Sequence, residues 1–310
     1  MTDDGKLIEW LLEGDPAIRW QVMRDLVGAS KETIATERHK VATEGWSARL
    51  LSCQDASGMW GGQLYNRKWL STTYTLLLLR QMGLEANHPQ AYLACKLLLN
   101  GGFKPNGGLS YAKTVDVIDN GVTGMVLSIL AYFGYPDHRL HAIAGYLCDQ
   151  QLSDGGWEPV PGDQHLRYKF DATLLILDGL HEYEQQFPGL VERVAAAQRR
   201  AREFLLYHRH YHLPQSEEII DKKMLLFSFP PRWHFDVLAS LDYFQACRME
   251  RDERLSAAIE LLVAKRNQNG SWDLQNRHAG KTFFEMEEVG KPSRWNTLRA
   301  LRVLEWWQGN

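Results

Sequence analysis

Tyr146-Leu147-Cys148-Asp149-Gln150-Gln151-Leu152-Ser153-Asp154-Gly155-Gly156-Trp157 recurs along the chain in reduced form. Its outline is an apolar pair followed at fixed offsets by Gln151, Gly155 and Trp157. Leu50-Leu51, Gln54, Gly58 and Trp60 match it, as do Leu261-Leu262, Arg266, Gly270 and Trp272. A weaker copy carries Leu98-Leu99, Phe103, Gly107 and Leu109, and a degenerate one keeps Phe204-Leu205 and Arg209 but has lost glycine and tryptophan. Trp60 to Leu109 spans 49 positions, Leu109 to Trp157 spans 48, and Trp157 to Trp272 spans 115, which is two slightly longer units. A period of about 50 holds two helices and a loop, the mark of stacked helical hairpins. In each copy the apolar pair closes a buried stripe and the glycine supplies the permissive backbone that stops the helix. The tryptophan offers a large flat face for packing against the neighbouring repeat.

Between these marks apolar residues recur at helical spacing. Trp69–Met82, Val122–Phe133, Thr173–Leu180, Val237–Phe244 and Leu298–Trp306 are apolar around most of their circumference, as helices surrounded by others should be. Ala91–Leu99, Leu140–Gln150, Val191–Leu206 and Leu255–Arg266 carry more charge and read as their outer partners. Leu7–Leu12 and Pro16–Val27 add an N-terminal hairpin. About twelve helices in six hairpins predict an all-α, single-domain (α/α)6 toroid. In it, residues 1–30 are the hairpin that completes the ring and residues 31–310 the remaining repeats.

The 310 residues are 45% hydrophobic and 24% charged, enough for a large core and too apolar for wholesale disorder. A net charge of -3 without a Lys/Arg block argues against nucleic acid as a partner. No basic-then-apolar leader opens the chain, and no apolar run approaches the length of about 20 residues needed to span a bilayer. Cys53, Cys95, Cys148 and Cys247 are scattered, without a Cys-x-x-Cys pair. They read as reduced core residues of a cytoplasmic protein, with no metal site and no cofactor expected. A homodimer is left open.

Loop lengths give the hairpins a polarity. Gly83–His88, Gly134–Asp137, Gln186–Gly189 and Met249–Glu253 are short; Gln54–Lys68, Gly101–Ile118, Leu152–Lys169, His210–Pro231 and Asn267–Pro292 are long. Alternating hairpins put every long loop at one end, where a rigid scaffold builds its sites. Inner helices start at that end too, four of them on a cation followed by an aromatic: Lys68-Trp69, Lys169-Phe170, Arg232-Trp233 (then His234) and Arg294-Trp295. Helix N-termini, cations and aromatic faces make an apolar cup with an electropositive rim, suited to an amphiphilic ligand with an anionic head. Local cation–π packing between repeats produces the same recurrence.

Asp116, Asp119, Asp171 and Asp236 lie in or near helix starts of the same region. A carboxyl in an aromatic cup has its pKa raised and can serve as a general acid, whereas Asp at a helix start also caps free N–H groups. Glu285, Glu287 and Glu288 read as a solvated acidic loop, and His208, His210 and His212 as a surface cluster rather than metal ligands. No phosphate-binding glycine loop and no serine or cysteine triad motif is present.

The repeats resemble those of squalene cyclases and related class II terpenoid cyclases across most of residues 45–308. Phe227-Ser-Phe-Pro-Pro-Arg-Trp-His234 and Pro292-Ser-Arg-Trp-Asn-Thr-Leu-Arg-Ala-Leu-Arg-Val-Leu304 look like segments of bacterial squalene cyclase-like proteins. The resemblance implies protonation of an isoprenoid alkene or epoxide by an aspartic acid, with aromatic walls steering the carbocation. The family's Asp-x-Asp-Asp motif is absent, Asp116-Val-Ile-Asp119 being its nearest approach. Those enzymes place their site between two helical domains. A single toroid would use its own central cavity, as the related protein prenyltransferase β subunits do, although their zinc-binding set is not recognisable here. Two other functions fit a helical toroid: a glycosidase or lyase with Trp233 and Trp295 stacking on sugars, and a binding protein without chemistry.

Overall fold

In a computed structural model that describes residues 3–66, 68–112, 117–160, 162–163, 165–187 and 189–309, the chain is mostly helical. Helices α1 (Asp3–Leu12), α2 (Pro16–Val22), α3 (Lys31–His39) and α4 (Gly45–Leu51) come first. Then follow α5 (Thr72–Met82), α6 (Pro89–Gly102), α7 (Asn120–Tyr132), α8 (Arg139–Asp149), α9 (Leu166–Gln186) and α10 (Val191–Tyr207). Helices α11 (Val237–Ala246), α12 (Ser256–Ala264) and α13 (Arg294–Gln308) complete the set. Strands β1 (Trp272–Asp273) and β2 (Pro292–Ser293) pair antiparallel. No described helix is long and apolar enough to cross a membrane.

Local chemistry fixes the boundaries. Asp15 caps α2 by accepting from the Ala17 N–H at 2.9 Å, with Pro16 preset for the first helical position, and also accepts from the Trp46 N–H at 2.7 Å. Asp119, Asp236 and Ser293 cap α7, α11 and α13 in the same way. Helix α3 escaped the periodicity reading because it carries no apolar stripe; the Ser30 cap starts it. Helix α9 runs well beyond Thr173–Leu180 at both ends.

Each sequence copy builds one corner. Trp60, Trp157 and Trp272 are wholly buried, and each indole N–H donates to a carbonyl ten residues back: Leu50 at 2.6 Å, Leu147 at 2.7 Å and Leu262 at 2.7 Å. Their backbone N–H groups donate to Thr72 in the first turn of α5, Thr173 about two turns into α9 and Thr297 at the fourth position of α13, and Leu109 does the same to Thr123 of α7. The glycine does not end the helix. It follows in a reverse turn with positive φ, +83° at Gly58 and +91° at Gly155, where a side chain would be strained. Gln54 and Gln151 each donate to that glycine's carbonyl and to the following outer helix, at Gln90 and Ala197. The repeat is therefore a hydrogen-bonded clasp between hairpins as well as a packed tryptophan.

Helices α7 and α9 make the closest helix pair, because Gly124 and Gly179 face it. A Cβ on Gly179 would run into the Gly124 carbonyl, and one on Gly124 into the Ile176 backbone. The chain's two ends also meet. Arg302 of α13 donates to Gln21 at 3.2 Å and pairs with Asp25 at 3.3 Å, and Arg294 donates to the Trp10 carbonyl at 2.9 Å. The histidine trio is not at the surface. His208, His210 and His212 are buried, with His210 packed against Phe244, and among the described residues no group of side chains could hold a metal ion.

Candidate functional site

A cavity of about 1260 Å³ opens among α2, α5, α9, α11 and α13. Ion pairs line part of its wall. Arg80 binds Asp178 in a two-pronged pair, at 2.5 and 2.7 Å, and Glu182 at 2.9 Å. Asp242 bridges Arg302, at 2.6 Å, and Arg299, at 3.2 Å. Burial works against the Asp242 charge, but Arg302 and then Arg299 outweigh it and hold its carboxyl below the usual range. Buried charges in this region are thus paired, as desolvation demands.

The remaining wall is aromatic and contains Asp171. Phe229, Trp233, Phe235 and Trp295 line it, with Trp295 stacked on Phe229 at 4.0 Å. Asp171 sits in the second turn of α9 and is buried. Its Oδ1 accepts from the Phe235 N–H at 2.6 Å and pairs with Arg167, one turn earlier, at 3.1 Å; Oδ2 has no partner among the described residues. Burial raises its pKa to about 7, against the pull of Arg167 and the Phe235 N–H. A carboxyl so placed is close to half protonated at neutral pH, and its conjugate base has a guanidinium and an amide beside it.

The other aspartates are placed differently. Asp236 is buried and uses both oxygens, accepting from Ala239 at 2.8 Å and Ser228 at 3.2 Å. Asp119 caps α7 through Val122 at 2.9 Å, beside the hydrogen-bonded pair Tyr65–Tyr74, and burial raises its pKa. It does not line the large cavity. Asp116 lies outside the described residues.

The cation–aromatic pairs also divide. Lys169 pairs with Asp154 at 2.9 Å, while Phe170 is core between Phe204 and Phe235. Arg294 stands over Trp10, away from its neighbour Trp295 on the cavity wall. Lys68 and Arg232 both stand over Trp69, at 5.9 and 5.0 Å, and Trp69 donates to the His278 carbonyl at 3.0 Å. Both cations have a left-handed backbone, with φ of 40° and 61°. His234 lies between Trp233 and His278, with ring centroids 3.7 and 4.1 Å away. Burial, and then the positive groups around them, lower His234 to about 3 and His278 to about 4, so both are neutral at pH 7.

Glu287 of the acidic loop is not solvated. It accepts from Ser293 at 2.5 Å and from the Arg294 N–H at 2.8 Å, helping cap α13. Sequence reasoning missed Arg167, His278 and the Arg80 and Asp242 networks. Only Arg167 left a local signal, its helical spacing of four from Asp171.

No protein-family model matches the chain, and no curated protein does. Among solved structures, a protein from Actinoplanes shares 16% identity, covering 94% of this chain and 90% of its own, with a TM-score of 0.48. Type II terpene cyclase MstE from Scytonema, as a variant in complex with geranylgeranyl dihydroxybenzoate, shares 13% identity over 87% of this chain and 95% of that one, with a TM-score of 0.35. The apo form of that enzyme gives 14% identity, 87% and 97% coverage and a TM-score of 0.35. At these scores the likeness does not establish a common fold.

Proposed function

We propose that the hairpins close into an (α/α)6 ring, with residues 1–30 as the closing hairpin and residues 31–310 as the other repeats. In this reading the cavity is the site of a terpenoid cyclase-like reaction on an isoprenoid, and Asp171 is its acid. The observation that carries the proposal is the Asp171 carboxyl: buried on an aromatic cavity wall, with one oxygen held by Arg167 and Phe235 and the other without a partner.

The chemistry follows from that placement. The Oδ2 proton passes to an alkene carbon or an epoxide oxygen, leaving a carbocation on the substrate and a carboxylate on Asp171. Arg167 and the Phe235 N–H stabilise that carboxylate without rearranging. The faces of Phe229, Trp233 and Trp295 offer the electron density a carbocation needs. Loss of a substrate proton then quenches the cation and restores the acid. A glycosidase or lyase is the second reading, favoured by the ion-paired part of the wall around Arg80 and Asp242, which suits a polar ligand better than a hydrocarbon.

Native mass spectrometry after mild purification, with thermal shift against prenyl alcohols and prenyl epoxides, tests ligand class. A co-purified isoprenoid or a raised Tm supports the proposal; neither, alongside a shift with oligosaccharides, overturns it in favour of the second. Once a substrate turns over, Asp171→Asn is expected to lower kcat about a hundredfold or more with folding intact. Unchanged turnover would remove Asp171 as the acid.

A further inference from the structure

Arg232 is 8% exposed, yet among the described residues no carboxylate, carbonyl or hydroxyl accepts from its guanidinium. The other arginines buried around the cavity are all matched: Arg80 by Asp178 and Glu182, and Arg299 and Arg302 by Asp242. Its nitrogens keep contact with the cavity, so a guanidinium this short of water and without an acceptor points to a missing partner. Arg232 rests on the Trp69 ring, which offsets only part of the cost of that burial. Burial lowers its pKa only to about 10, with Tyr74 and Glu285 opposing the fall, so it stays charged at neutral pH.

Behind the wall, Arg167 Nη1 and His278 Nε2 have no acceptor among the described residues, but both atoms are sealed from solvent and neither residue lines the cavity. Lys68 and Lys223 add positive potential at His234. Lys68, Lys223, Arg167 and Arg232 thus put positive potential beside the aromatic wall, where Asp171 Oδ2 is an acceptor without a partner among the described residues.

We propose that Arg232, on the cavity wall and backed by the charge of Arg167, Lys68 and Lys223, forms an oxyanion subsite that seats the anionic head of an amphiphilic ligand whose apolar body lies along Trp233 and Trp295. This rests on the cavity being the ligand site, and it narrows the ligand from isoprenoids at large to those ending in a phosphate or carboxylate. Arg232 recognises the head and takes no part in proton transfer.

The test is calorimetric titration of the full chain with farnesyl phosphate, farnesoate and farnesol at fixed ionic strength. The wild type is expected to bind at least one of the two anions about tenfold or more tightly than the alcohol. Which anion gains more identifies the head group. Arg232→Gln should bring the ratio close to one while leaving farnesol affinity alone, and Arg232→Lys should keep part of it. Equal binding of anions and alcohol by the wild type overturns the subsite and leaves the cavity reading intact; failure of all three ligands to bind overturns both. If Arg232→Gln does not fold by circular dichroism, the wild-type ratio and Arg232→Lys decide.

Discussion

Two corners of the same repeat have gone separate ways. At residues 147–157 the clasp is complete: the Trp157 indole reaches Leu147, its amide reaches Thr173, and Gln151 ties Gly155 to Ala197. At the equivalent turn after α10 the glycine and tryptophan are gone, and both ring nitrogens of buried His210 and Nδ1 of His212 lack partners among the described residues. The helices show the same contrast. Helices α7 and α9 touch through facing glycines, whereas α9 reaches the chain before α11 through Arg167 and Asp171, whose polar contacts leave two atoms unsatisfied. Where the repeat is intact its polar groups are satisfied; where it decays, buried histidine nitrogens lack partners among the described residues, and of the atoms named Asp171 Oδ2 belongs to a cavity-lining residue.

The largest effect that would break this contrast is at Trp157. Trp157→Ala should cost about 3–5 kcal/mol in urea denaturation, from lost packing and an orphaned Leu147 carbonyl. A loss under about 1 kcal/mol would mean that the clasp does not stabilise the fold.

Asp171 comes next. Its folded pKa, about 7, lies above the ordinary carboxylate value, so its contribution is fully present below about pH 4 and is lost as pH rises through about 7. Relative to Asp171→Asn, the wild type should therefore lose stability over that window, by up to about 1.4 kcal/mol per pH unit. Parallel stability curves from pH 4 to 8 would place the carboxyl in ordinary solvent. Gly179→Ala should cost about 1–3 kcal/mol by forcing α7 and α9 apart, and its thermal unfolding checks that.

The smallest effect at neutral pH belongs to His210. Burial lowers its pKa to about 3, so its contribution is present above about pH 6.5 and is lost as pH falls toward 3. His210→Phe should change stability at pH 7 by under about 1 kcal/mol and flatten the acid limb of the profile. An unchanged acid limb would show that His210 does not titrate with unfolding.

The helices and the tryptophan marks were legible because both are written in short-range spacing. The threonines that complete each corner were not, since Thr72, Thr173 and Thr297 lie in the next helix and reveal their role only when the turn folds back. Asp119, Asp171 and Asp236 look alike in sequence, each near a helix start. What separates them is the partner of the second oxygen: for Asp236 it is Ser228, for Asp171 nothing. His278 reaches the site from the loop before α13, and no periodicity points to it.

The bond between the two ends of the chain bears on how the molecule comes to be made. Gln21 and Arg302 are 281 positions apart, so α2 gains this contact only once that length of chain beyond it has been made. Such distant closure raises contact order and slows folding. Until α13 arrives, Asp25 and Asp242 lack the guanidinium of Arg302, and the apolar faces it will cover stay open to chaperones or to another nascent copy. The arrival of α13, rather than the formation of α2, would then set the pace of maturation.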